Sequence, residues 1–267
     1  MSAAPISVAT LAAMKARGER ITCLTCYDAS FARLLEAAGV DVMLVGDSLG
    51  MVVQGHETTV PVTLDQMAYH CACVARGRSR ALLIADFPFL VGATPERALV
   101  GAARLMQEGG AQVVKLEGGA GVLETVRCLT TQGVPVCGHL GLMPQSVNLI
   151  GGYRFQGRDA DSAETIARDA LALQEAGASL LVLECVPAAL AQQISRSLRI
   201  PVIGIGAGAG CDGQVLVVYD MLGLNRGRPP RFSRDFLAGR DSVPAALAAY
   251  VAAVRDGSFP GPAETAY

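Results

Sequence analysis

Acidic and polar side chains recur at the ends of short apolar runs in this chain. Gly46-Asp47-Ser48 follows VMLV, Asp86 follows LLIA, Lys115 and Glu117 close QVVKLE, His139 follows VPVCG, and Glu184 follows LLVL. Asp47, Asp86 and Glu117 form a carboxylate set with no accompanying Cys/His set, and hard oxygen donors suit Mg²⁺. The other reading is that each acid caps the helix after it. Lys115 and Glu117 are two apart, so in a strand both point the same way. Lys115 and Lys15 are the only lysines among 22 basic residues. That points to a specific task for Lys115: balancing a substrate carboxylate, or forming a Schiff base. Charge balance between Asp47 and Glu117 would also account for it. A carboxylate placed like Glu184, behind an apolar run, is poorly hydrated and its pKa can rise toward that of a general base; a rim salt bridge is the plainer alternative. His139 either donates to a ligand or is a satisfied buried histidine. Ser48 fits a hydrogen-bond donor to a bound ligand.

What must position these groups is an alternation of β-branched runs and helical patterns. Strands are expected at Ile21–Cys26, Val42–Val45, Leu82–Ala85, Gln112–Leu116, Val134–Cys137, Leu180–Leu183, Pro201–Ile205 and Gln214–Val218. Helices are expected at Thr10–Arg17, Ser30–Ala38, Leu64–Arg76, Pro95–Glu108, Val122–Thr131, Asp161–Ala176, Ala188–Leu198 and, as a tail, Ser242–Val254. Gly39 and Gly177 act as stops, and Thr94 with Pro95 as a start. The strand runs are apolar throughout, as strands buried on both faces are. With no break at mid-chain, the pattern predicts one (β/α)₈ TIM barrel spanning residues 1–267, with a short N-terminal helix and a C-terminal helical tail. A doubly wound sheet gives the same local signal. In a barrel the strand ends meet at one face, which gathers Asp47, Asp86, Lys115, Glu117, His139 and Glu184 at one site. The Gly-rich segment Asn148–Asp159 reads as a long loop and a candidate lid.

Composition narrows the class. The chain has 267 residues, 51% hydrophobic and 17% charged, with a net charge of -2. Such a chain has a large core and no basic stripe for nucleic acid or an anionic membrane. Its greasy surface favours a homo-oligomer. Eight cysteines are scattered, and the C-x-x-C of Cys23 and Cys26 lacks a second pair or histidines to complete a zinc site. No signal peptide or membrane-length apolar stretch is evident, so a cytoplasmic location is expected.

Two motifs mislead. Gly46-Asp47-Ser48-Leu49-Gly50 matches the G-x-S-x-G nucleophile elbow, but all three histidines precede residue 140, and a late histidine partner is missing. Gly208–Gly213 matches G-x-G-x-x-G, but it follows a late strand instead of opening a first βαβ unit. It reads as a glycine-rich loop at the barrel mouth.

The strings LVGDSLGMVVQGH, VTLDQMAYH, VKLEGG, PVCGHLGLMPQSV, LVLECVP and IPVIGIGAGAGCDGQVLV occur in this order, within a match that runs from about Ile21 to Leu224. Together they resemble the ketopantoate hydroxymethyltransferase family. The resemblance implies a (β/α)₈ barrel, usually a homodecamer of two stacked pentamers, at the first committed step toward pantothenate and coenzyme A. It implies hydroxymethyl transfer from 5,10-methylenetetrahydrofolate to 3-methyl-2-oxobutanoate, giving 2-dehydropantoate and tetrahydrofolate. The family's Mg²⁺ positions fall on Asp47, Asp86 and Glu117, its keto-acid contacts on Asp47, Ser48, Asp86 and Lys115, its proton acceptor on Glu184, and an active-site histidine on His139. The implied route is a metal-stabilised enolate attacking the methylene iminium form of the folate. Phe87 and Met143 stand where the family often has Met and Thr, which leaves details of pocket shape open. A phosphoenolpyruvate-type barrel lyase, a Schiff-base aldolase and a catalytically inert metabolite-binding barrel are the competing readings. The first of these often carries a reactive loop cysteine, and none stands in the matched strings.

Overall fold

The computed structural model describes residues 4–152, 154–224 and 229–265. The chain begins with α1 (Val8–Ala16), then β1 (Ile21–Thr25), α2 (Ala29–Ala38), β2 (Val42–Val45), α3 (Leu49–Val52), α4 (Leu64–Gly77), β3 (Leu82–Asp86) and α5 (Pro95–Gln107). It continues with β4 (Val113–Glu117), α6 (Leu123–Thr131), β5 (Val136–Gly141), α7 (Val147–Ile150), α8 (Ala160–Glu175) and β6 (Leu180–Glu184). It ends with α9 (Ala188–Ser197), β7 (Val202–Ile205), β8 (Gly213–Leu216), α10 (Val218–Met221) and α11 (Val243–Asp256). All eight strands are parallel, and β8 pairs back to β1, closing a (β/α)₈ barrel.

Period-two alternation decides what fills the barrel. Ile21 and Cys23, Val42 and Leu44, Leu82 and Ile84, Val113, Cys137, Leu180 and Val182, Ile203 and Ile205, and Val215 pack into one interior cluster. The alternate apolar strand residues, such as Leu24, Met43, Leu83, Val114 and Leu181, face the helices in a separate, larger core. α1 stoppers the lower end, where Ile6, Leu11 and Met14 join the interior cluster. Ser7 starts this helix with a reciprocal capping box to Thr10. Followed upward, the same parity brings Asp86 after Ile84, Lys115 and Glu117 after Val113, His139 after Cys137, and Glu184 after Val182. Each therefore points inward above the apolar layers. Register completes the placement: Asp86 lies beside Lys115 on the neighbouring strand, and Glu117 beside His139.

Expected and observed elements differ in two instructive places. β5 extends from Val136 to Gly141, beyond the apolar run expected at Val134–Cys137. His139 is thus a strand residue, and Gly138 and Gly141 hide the strand from an apolarity pattern. The second difference is the course of the connection from β7 to β8, which is free of helix as expected. Gly208–Gly213 does not form a loop at the barrel mouth. It descends along α9 to the lower end, and a Cβ on Gly208 or Gly210 would strike Ala188 or Gln192. There Asp212 accepts from Lys15 Nζ at 2.8 Å, Ser195 Oγ at 3.0 Å and the Val202 amide at 2.8 Å. The glycines permit close packing of a bare strand-to-strand connection, and Lys15 is used to lock it.

Candidate active site

Asp86 is the hub of the upper rim. Its Oδ1 accepts from Lys115 Nζ at 2.6 Å, and its Oδ2 accepts from the Asp47 amide at 3.2 Å. Gln145, in the turn after β5, ties the rest together. Its Nε2 donates to Asp47 Oδ2 and to the Phe87 carbonyl, both at 2.8 Å, while its amide donates to Glu117 Oε2 at 3.1 Å. His139 stands between two carboxylates, with Nδ1 3.4 Å from Glu117 Oε1 and Nε2 3.2 Å from Glu184 Oε2. Neither contact is aligned as a hydrogen bond, so the imidazole is held by charge more than by directed bonding.

The electrostatics follow from burial and crowding. Burial pushes the Asp47 carboxyl up to about 8, and repulsion from Asp86 and Glu117 adds to it. Burial opposes charge on Lys115, but Asp86, Glu117 and Asp47 outweigh it and hold the ammonium above the usual lysine range. Burial and Lys115 oppose charge on His139, yet its two glutamate neighbours carry it up to about 9. Burial works against the Glu117 carboxylate too, and His139, Lys115 and the Gln145 amide still bring it below the usual glutamate range.

The structure brings together Asp47, Asp86, Lys115, Glu117, His139 and Glu184. Ser48 lies at the margin, where its Oγ is 2.9 Å from Tyr27 Oη. His70 is joined to the same corner through the Tyr27 carbonyl at 2.7 Å, whereas His56 is exposed and outside the site. Gln145 and Tyr27 were not legible as site residues. One is an amide in an irregular turn, the other an aromatic just past β1, and neither type announces chemistry. Burial pushes the Cys26, Cys137 and Cys211 thiols up to about 12. Among the described residues, no group of three or more His, Cys, Asp or Glu side chains is spaced to hold a metal ion by itself. Glu117 shows why, since one of its oxygens faces His139 and the other takes the Gln145 amide.

The segment leading to α8 begins as the helical turn α7, not as a loop. It returns to the site where the Gln156 amide donates to the Cys185 carbonyl at 2.9 Å. Tyr153 of this segment lies outside the described residues.

A sequence model of the ketopantoate hydroxymethyltransferase family matches residues 5–262. The chain belongs to that family. As a member, it is a transferase. Relatives named 3-methyl-2-oxobutanoate hydroxymethyltransferase include one from Halorhodospira halophila, 59% identical over 261 residues, covering 98% of this chain and 94% of the relative. Another, from Thiobacillus denitrificans, is 60% identical over 257 residues, covering 96% and 97%. Among solved structures, a 2,3-dimethylmalate lyase of the PEP mutase/isocitrate lyase superfamily superposes with a TM-score of 0.59 at 17% identity, covering 82% of this chain and 84% of the lyase. A phosphonopyruvate hydrolase solved with oxalate and Mg²⁺ gives 0.62 at 12%, covering 81% and 83%. At such identities these two share the fold. No helix among the described residues is long and apolar enough to cross a membrane.

Proposed function

We propose that this chain transfers a one-carbon unit from 5,10-methylenetetrahydrofolate to 3-methyl-2-oxobutanoate, giving 2-dehydropantoate and tetrahydrofolate for pantothenate synthesis. The relatives' names support the acceptor. The observation that carries the chemistry is the buried Asp86–Lys115 pair, with Asp47 beside Asp86 and a Glu117–His139–Glu184 row along the neighbouring strands.

The donor set fits Mg²⁺. Three carboxylates crowd one rim, and repulsion from Asp86 and Glu117 adds to burial in pushing the Asp47 carboxyl up, a charge conflict that a cation would relieve. Mg²⁺ is usually held by one or two carboxylates, with substrate and water completing its shell, so a ready-made protein cage is not needed. Asp47 and Asp86 would hold it, with Glu117 beside them. When bound, the ion would supply positive charge to offset the negative charge that develops on the acid at proton removal.

The chain's own groups do the remainder. Lys115, kept an ammonium by its carboxylate neighbours, balances the substrate carboxylate and is aimed by Asp86. Glu184 takes the proton from the branched carbon next to the carbonyl. His139 holds a positive charge against Glu184 and so fixes the base in position. The new carbon–carbon bond joins the branched carbon to the donor's methylene carbon. That carbon ends as CH₂OH, so both of its bonds to nitrogen break and water supplies the oxygen. A Schiff base at Lys115 needs a neutral amine, which the site opposes.

Segment 148–159 would cover the mouth, and proline at Gly151 and Gly152 would then lower both activity and folate affinity. Exposed Tyr69 on α4 and Val100 on α5 favour a homo-oligomer, expected to be a decamer and measurable by light scattering. The site is tested by deuterium exchange at the branched carbon, followed by NMR without folate. Exchange should require both Mg²⁺ and Glu184 and be lost in Glu184→Gln. Exchange that survives chelation, with a lysine adduct trapped by borohydride, would move the reading to a Schiff-base enzyme.

A further inference from the structure

Beside the carboxylates, a cleft of about 200 Å³ opens between the segment after β3 and the start of α6. Phe87, Phe89, Leu90 and Val122 give it apolar walls, and Glu117 and Gln145 close its inner end. The cleft is continuous with the site, because the same Gln145 side chain that lines it donates to Asp47.

Two features of its outer wall do not look like ordinary surface. Phe89 and Leu90 are adjacent large apolar residues, 40% and 50% exposed. Leu90 also sits in the left-handed region, at φ 63°, which disfavours a branched side chain. Folding alone gains nothing from holding an apolar pair out in water by a strained backbone. A ligand face that covers the pair accounts for both the exposure and the strain.

We infer that this cleft is the seat of the one-carbon donor's pteridine ring, with Phe89 and Leu90 as its outer platform. The inference rests on the folate reading of the reaction. The cleft has room for a fused bicyclic ring but not for a whole folate, so the aminobenzoyl-glutamate tail extends outward past Leu90. A flat heteroaromatic ring with polar edges matches apolar side walls and a polar inner end. Seated there, the ring brings its methylene carbon to the rim where the keto acid's branched carbon is activated.

The test is calorimetric titration of the Mg²⁺-loaded, full-length protein with tetrahydrofolate, comparing wild type with Phe89→Ala, Leu90→Gly, the double variant and Phe89→Tyr. Loss of one stacking platform should weaken binding about tenfold, and the double variant should lose more. Phe89→Tyr, which keeps the ring, should stay within about twofold. Keto-acid exchange without folate reports the rim itself: exchange lost together with tetrahydrofolate binding in every variant, Phe89→Tyr included, overturns the assignment, because the changes then act through the rim. Tetrahydrofolate affinity that is unaltered in the double variant overturns the cleft assignment and leaves the reaction standing. A wild type that neither binds tetrahydrofolate nor turns over with its methylene form overturns the folate reading, and the cleft assignment falls with it.

Discussion

Lys115 Nζ donates to Asp86 Oδ1 at 2.6 Å, and each side chain is only 5% exposed. The two sit side by side on β4 and β3, so the pair is built by register, not by chance contact of long side chains. Removing one member of a buried pair strands the other charge, at a cost of about 3–5 kcal/mol, whereas removing both is far milder. Asp86→Asn should therefore lower the urea midpoint markedly, and Lys115→Met alone less so, because it leaves carboxylates that can take up protons. The double variant should regain part of the stability and none of the activity. Equal losses in the single and double variants would show that the pair is not the coupled unit described here.

The barrel and most of the rim were legible for one reason. Inward-facing polar residues break an otherwise apolar strand at its end, and Asp86, Lys115, Glu117 and Glu184 do so visibly. His139 was found as a residue but placed after its strand, because Gly138 and Gly141 mask β5. The Gly208–Gly213 segment was misplaced because glycine content signals close approach without saying to what; here it is α9. Gln145 escaped because its importance comes from three partners contributed by three different strands or strand ends, and such convergence exists only in three dimensions.

That convergence gives Gln145 a measurable role. Its side chain and amide hold Asp47 and Glu117 in fixed relation across the rim. Partners that orient metal-binding carboxylates typically matter about 10–100-fold in metal affinity or activity. Gln145→Leu should raise the Mg²⁺ concentration needed for half-maximal keto-acid exchange by that order, with the folded state retained. An unchanged Mg²⁺ dependence would reduce Gln145 to a loop anchor.

Acid sensitivity should originate partly outside the site. The Glu36 carboxylate accepts from the amides of Ser79, Arg80 and Ala81 at 3.1, 2.8 and 3.2 Å, fastening α2 to the turn before β3. Burial opposes its charge, but the three amides win and hold its pKa below the ordinary 4.5. A lowered folded-state value means stability that is present above pH 4.5 and lost as pH falls through the folded value. Glu36→Gln should cost about 1–2 kcal/mol at neutral pH and flatten the decline in stability below pH 4.5. Both are read from denaturation curves across pH. A wild-type slope retained in the variant would place the acid-labile group elsewhere.

Gly141 sets the position of the proposed base. It ends β5 at φ 93°, a backbone region that favours glycine, and a Cβ there would fall on the Glu184 carbonyl. That carbonyl is already engaged by the Leu142 amide at 2.8 Å, so it cannot retreat without moving the end of β6. Gly133 is the natural control. Its φ is 81°, but nothing lies within 4 Å of its missing Cβ. Gly133→Ala should therefore show backbone strain alone, about 1 kcal/mol of stability, with normal keto-acid exchange. Gly141→Ala should lose more stability and slow exchange about 100-fold, since a displacement near 1 Å at a catalytic group costs about that much. If the two alanine variants exchange equally fast, Glu184 is not positioned through Gly141, and its placement must come from His139 instead.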